Sequence, residues 1–219
     1  MRKKGLRVVN WAIWRPAATL MRRLRFPGKM AVIALAFLVP VLWLLGQFLQ
    51  EAREDLGFVA LERQGVRYAQ ALYPVLQASD QWRYAARQAA LGGASDPVPA
   101  ARAAFDQAHA ALALQQQSLA EVLNTGAAWQ AVQQRLSQAQ GAASGDPQAI
   151  YAAMNPLSQA LTDLLAEVTD QSGLALDPEM GSYYLMSGVL MRAPEIIRRT
   201  GELRGLAGGA LRTGQMDAQ

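Results

Sequence analysis

The sequence predicts an all-α chain, with one transmembrane helix followed by an extracytoplasmic antiparallel helical bundle of long helices. Three observations lead there. An apolar run without a single charge fills residues 30–49. Beyond it, apolar residues return at steps of three and four through most of the chain, the period of one helix face. Alternation at period two is sustained nowhere, so no strands are expected.

The leader comes first. Residues 1–29 carry nine basic side chains and no acid, whereas residues 50–219 carry twelve Arg and all 17 acids, so the net +4 is +9 on the leader and −5 on the remainder. The sequence pI of 9.7 therefore describes a tail. Nucleic-acid binding needs a basic face on a folded module, and the module here is acidic, so no nucleic-acid partner is expected. Trp11, Trp14, Arg15, Arg22, Arg23 and Arg25 fit either a segment lying on anionic lipid or a flexible basic tail that sets topology.

The run from Met30 to Leu49 has the length of a span, since a hydrocarbon core of about 30 Å needs about 20 residues. It is longer than a signal-peptide core and is followed by Gln47, Phe48, Leu49, Gln50 and Glu51 rather than by a small-x-small cleavage site, which predicts a retained anchor. Pro40 should kink it. Basic residues stay on the cytoplasmic side of a span, so the chain beyond about residue 50 is expected in the periplasm of a bacterium, anchored in the inner membrane.

After the span, Phe58, Leu61, Gly65, Tyr68, Leu72, Val75, Ser79, Trp82, Ala86 and Ala89 form a heptad-like stripe. That stripe suggests a long helix with a homodimer partner, bent at Pro74 and ended by the breakers from Gly92 to Pro99. A second helix is expected from about Ala100 to Leu123, with Phe105, Ala108, Leu112, Leu119, Val122 and Leu123 on one side and a stop at Asn124, Thr125 and Gly126. A shorter piece around Trp129, Val132 and Leu136 leads to a loop at 141–147. Ile150, Met154, Leu157, Leu161, Leu164 and Val168 then mark the strongest helical register, with Pro156 predicting either a kink or a start near Asn155. Asp177 and Pro178 read as a cap and first-turn proline. The helix they open carries Leu185, Val189, Ile196 and Leu203 and runs to about Leu211.

Few residues suit chemistry. With no cysteine, disulfides and thiolate metal sites are excluded. The single histidine, His109, sits on a helix without the partners a metal or triad site needs and reads as a solvated or satisfied residue. Asp163, Glu167 and Asp170 share a helix at spacings of four and three, opposite the leucine stripe, and read as a polar face. Gly92-Gly93 and Gly208-Gly209 lack the strand a phosphate loop requires. No catalytic residue, metal or cofactor is expected.

Several stretches resemble a known family. They are Glu62-Arg63-Gln64-Gly65-Val66-Arg67-Tyr68 and Gln81-Trp82-Arg83-Tyr84-Ala85-Ala86-Arg87, then Ser172-Gly173-Leu174-Ala175-Leu176-Asp177-Pro178 with Ser182-Tyr183-Tyr184-Leu185-Met186, and finally Pro194 and Gly201-Glu202-Leu203-Arg204-Gly205. Over roughly residues 30–212 the chain resembles the input region of bacterial methyl-accepting chemotaxis proteins, especially helical modules of the nitrate- and nitrite-sensing kind. The resemblance departs at Arg83-Tyr84, where such sensors often have Arg-Gly. The second span, the HAMP linker and the methylated coiled coil that it implies do not occur in these 219 residues.

The resemblance also implies a site, in which arginines from the first and last bundle helices converge on a small anion. Arg83 and Arg204 have partly repeating surroundings, Arg83-x-x-Ala86-x-x-Ala89 against Arg204-x-x-Ala207-x-x-Ala210, with Arg87 a third candidate. A planar fork of donors suits a carboxylate or nitrate; the alternative is that each arginine pairs with an acid of the bundle itself. Tyr183 and Tyr184 either line the pocket or pack over a bundle end. The function so implied is signal sensing by a membrane chemoreceptor, of a small ligand or a partner protein. The alternatives are the input of a histidine kinase or diguanylate cyclase, and a membrane-anchored scaffold.

Overall fold

The computed structural model describes residues 22, 25–143, 145–176 and 180–214, and every element among them is helical. The leader tryptophans and the cap at Asp177 and Pro178 lie outside the described residues. The chain divides into two compact units, residues 1–56 and 57–219.

Helix α1 (Phe26–Ala90) is 65 residues long and contributes to both units. It continues through Pro40 and Pro74, each of which removes one backbone donor while the flanking turns keep theirs. Its N-terminal part is long and apolar enough to cross a membrane, and none of that window is buried by other parts of the chain. Phe37 and Trp43 stand 73% and 64% exposed. An apolar cylinder left uncovered by protein suits lipid better than water.

In the second unit α1 is joined by α2 (Pro97–Leu119), α3 (Gly126–Ala142), α4 (Pro147–Gln171), α5 (Met180–Met186) and α6 (Ala193–Thr213). The α1 stripe faces the interior. Tyr68, Leu72, Val75, Ser79, Trp82 and Ala86 are buried, packed with Phe105 and Leu112 of α2, Val132 and Leu136 of α3 and the leucines of α4. The chain's own helices cover these six positions of the stripe, while Phe58 at its start is 37% exposed. All six residues of the α4 register, Ile150 to Val168, are fully buried. Removing each such side chain from water stabilises the fold by about 1.5–3 kcal/mol.

Local chemistry sets the ends. Gly92 ends α1 at a φ of 78°, a conformation glycine adopts without steric cost. Asp146 caps α4, accepting from the Gln148 and Ala149 amides at 2.9 and 3.1 Å, and Pro147 fills the first turn. A start near Asn155 is thereby overruled: the cap fixes the beginning nine residues earlier than Pro156, which lies inside the helix. Helix α2 stops at Leu119 rather than Leu123. Projecting a helix across that break misplaced Val122, which is 53% exposed, whereas Leu123 is buried by the turn. Asn124 adopts a φ of 47°, and the Thr125 hydroxyl donates to Gln116 Oε1 at 3.0 Å. Tyr68 of α1 donates to the same oxygen at 2.5 Å, tying α1 to the end of α2. Burial raises the Tyr68 phenol well above its ordinary range, with hydrogen bonding to Thr125 opposing it.

Contacts fix the directions. Arg102 near the start of α2 lies 4.4 Å above the Trp82 ring, while Gln116 near its end meets Tyr68, so α2 runs antiparallel to α1. Helix α4 does too, since Arg87 lies over the Tyr151 ring and Ser172 packs where a Cβ on Gly65 would stand. Helix α6 runs parallel to α1, with Gly201 beside Asp80, Gly209 beside Arg87 and Arg212 beside Gly93. The bundle is therefore antiparallel through α4 and then gains a parallel neighbour. The face that α6 turns to α1 is a row of glycines, and the expected apolar stripe points away: Leu185, Ile196 and Leu203 are 70%, 62% and 66% exposed.

Between α5 and α6 the helix widens into a π turn over Ser187–Arg192, and the Ala193 amide reaches back to the Gly188 carbonyl. In that register the next donor belongs to residue 194, a proline with none to give. The Val189 carbonyl takes its hydrogen bond from the Tyr73 hydroxyl of α1 instead.

Candidate functional site

The first and last bundle helices do bring arginines together, and what lies between them is the carboxylate of Asp80. Arg83 donates to Asp80 Oδ1 at 2.5 Å and to Asn155 Oδ1 of α4 at 2.7 Å. Arg204 donates to Asp80 Oδ2 at 2.6 Å from α6. One carboxylate thus uses both oxygens to hold two guanidiniums from different helices. Arg83 is buried, with 4% of its side chain exposed, whereas the Arg204 side chain is 47% exposed and lies 4.3 Å over the Tyr84 ring.

The glycines of α6 make room for this. Gly201, Gly205 and Gly209 recur every fourth residue on one face. A Cβ at Gly201 would collide with Asp80 Oδ1 and stand 2.6 Å from an Arg83 nitrogen, and one at Gly209 would stand 3.2 Å from Arg87. Arg87 is itself buried, with its guanidinium carbon 5.0 Å from the centre of the Tyr151 ring. The polar row of α1, at residues 80, 83 and 87, fills the groove that the missing side chains leave.

Of the five candidate residues, Arg83, Arg87 and Arg204 thus gather along one α1–α6 seam. Tyr183 and Tyr184 do not join them. They lie on α5, exposed, with rings edge-on to each other at 5.8 Å. The anion that Arg83 and Arg204 share is the Asp80 carboxylate. The arrangement acts chemically as a clamp between helices, the self-paired alternative. Sequence reasoning missed Asp80, Asn155 and the glycine row. Asp80 stands three residues before Arg83, and the glycines repeat at four, so both left a local signal; Asn155 left none, because only the crossing of α4 brings it near.

Two further polar groupings are accounted for. The imidazole of His109 is sandwiched between Phe105 and Trp129, with centroids 5.8 and 5.2 Å away, and its Nε2 lies 2.9 Å from the Gln133 amide. Burial lowers its pKa below the ordinary 6.5; Asp106 opposes this and Arg102 adds to it. On α4 the Gln159 and Gln171 amides bond Asp163 and Glu167, each at 2.8 Å, and among the described residues no acidic or histidine group has metal-site geometry.

No family model, curated protein or solved structure matches the chain.

Proposed function

We propose that the chain is the membrane-anchored input region of a bacterial signalling receptor, with the bundle of residues 57–219 held outside the cytoplasm and ligand binding read out through α1. The observation that carries this reading is that one helix, Phe26–Ala90, contains both the segment able to cross a membrane and the stripe around which the bundle core is built. Packed interfaces switch between discrete arrangements rather than deforming smoothly, and shifts of about 1–2 Å along a helix are of the size such switches use. The Asp80 clamp supports the same reading, because it couples α6 to α1 through a few directional bonds that a small displacement would break. Chemotaxis is the output that the resemblance suggests, and a homodimer the expected assembly.

Topology is the first test, and the absence of cysteine makes it clean. Leu114→Cys, on the exposed face of α2, should react with a membrane-impermeant maleimide in intact spheroplasts, and Lys4→Cys in the leader only after permeabilisation. The reverse pattern would overturn the reading.

A further inference from the structure

Between α1 and the α5–π-turn segment lies a second feature that the arginine seam does not use. It is a groove of about 460 Å³, walled by Val66, Ala69 and Tyr73 of α1 and by Leu185, Met186 and Val189 of the returning chain, and none of its described lining residues is charged. Its volume falls within the ~300–1,000 Å³ of small-molecule sites, which are mostly apolar with a few placed polar groups. The described wall carries three polar side chains, Gln70, Ser182 and Tyr73, and of these the Tyr73 hydroxyl is fixed between the two sides by its bond to the Val189 carbonyl. Its proton is committed to the Val189 carbonyl, which the π turn and Pro194 leave for it. The phenol oxygen keeps lone pairs, so it offers a ligand an acceptor and no donor. Burial also raises the Tyr73 pKa, which keeps that proton in place.

We propose that this groove binds a small neutral apolar molecule bearing one hydrogen-bond donor, of the kind represented by an aromatic alcohol, seated on the Tyr73 oxygen between α1 and the π turn. An anion fits poorly, because the lining supplies no cation and burying an unpaired charge is costly. A zwitterion fails on the same ground. The inference deepens the sensing reading by naming a ligand class and a place on α1. It rests on that reading for its purpose only, since binding is measured without regard to topology or output.

The test uses the full chain in lipid nanodiscs and a neutral benzyl alcohol carrying a trifluoromethyl diazirine as photoprobe, with adducts mapped by peptide mass spectrometry. Saturable labelling confined to residues 66–73, Leu174 and residues 182–190, and competed by 2-naphthylmethanol, is expected. Val66→Trp with Val189→Trp fills the groove from two half-exposed rim positions and should abolish it. Tyr73→Phe, which keeps the volume, should weaken the alcohol about three- to tenfold, the worth of one hydrogen bond, and leave the matching methyl ether unchanged. Labelling spread over other exposed apolar residues such as Leu203 and Leu211, or indifferent to the tryptophan pair, would overturn the proposal. So would crosslinks between two copies through the groove, which would assign it to self-association.

Discussion

Gly201 approaches Asp80 so closely that the carboxylate occupies the space a Cβ would need. The contact is made by the shared anion of the Arg83–Asp80–Arg204 clamp, whose position is fixed by bonds on both sides. Backing away would therefore cost hydrogen bonds. This sets the sign of a substitution that helix propensity alone would get wrong.

Gly201→Ala should destabilise the bundle by about 1–3 kcal/mol, the usual range for overpacking, despite the ~1 kcal/mol that alanine gains over glycine in a helix. Gly57→Ala, with nothing within 4 Å of its would-be Cβ, should stabilise by about 0.5–1 kcal/mol. Thermal unfolding of the two variants should move in opposite directions; a shared direction would show that the α1–α6 contact is looser than described.

The clamp predicts an order of costs. Asp80→Asn leaves a buried guanidinium facing a neutral amide and should cost about 3–5 kcal/mol, as breaking a buried ion pair does. Arg204→Met should cost less than about 1 kcal/mol, because that side chain is 47% exposed and solvent screens its half of the pair. Denaturant midpoints measure both. Equal losses would place the whole of the clamp's contribution on the Arg204 half, against the difference in burial between the two arginines.

His109 predicts a pH dependence of stability. Its folded pKa is depressed, chiefly by burial between two aromatic rings. Near and below pH 6.5 the unfolded chain binds a proton that the folded one refuses, so stability rises with pH through that window and is fully present above it. The charged groups facing the ring are Asp106 and Arg102, which oppose each other. His109→Phe keeps the stack and should flatten the change between pH 5 and 7; a slope that persists would assign it elsewhere.

Burial predicts a contrast between two leucines at positions that sequence periodicity treats alike. Leu161→Ala, fully buried in α4, should cost about 2–5 kcal/mol. Leu203→Ala, 66% exposed on α6, should stay within about 0.5 kcal/mol. A large loss at Leu203 would indicate a partner covering the outer face of α6.

That contrast shows where legibility ended. Periodicity located the core face of α4 because its apolar stripe is both regular and the chain's strongest, but it missed where the helix starts, since Asp146 and Pro147, the cap and first turn, were read as part of the loop at 141–147. On α6 the same reasoning chose the wrong face. Apolar residues usually mark the buried side, but here the partner surface on α1 carries Asp80, Arg83 and Arg87, and glycine accommodates bulky polar groups where leucine cannot. The site residues were partly legible for the same reason. Arg83 and Arg204 stood out by type and spacing, while the identity of the anion between them did not.

The sequence by itself determined what depends on near neighbours along the chain: the all-helical class, the uncharged run able to span a membrane, the core stripes of α1 and α4, and most of the breaks, because hydrophobic period, proline, glycine and caps act within a few residues. Tertiary structure decided what depends on which helix lies beside which. It turned the arginines inward onto Asp80, left Tyr183 and Tyr184 apart from them, directed the α6 leucines outward, and paired Tyr73 with the carbonyl freed at Val189. Those outcomes follow from the close approach of helices distant in sequence, where the space left by an absent side chain matters as much as the chemistry of those present.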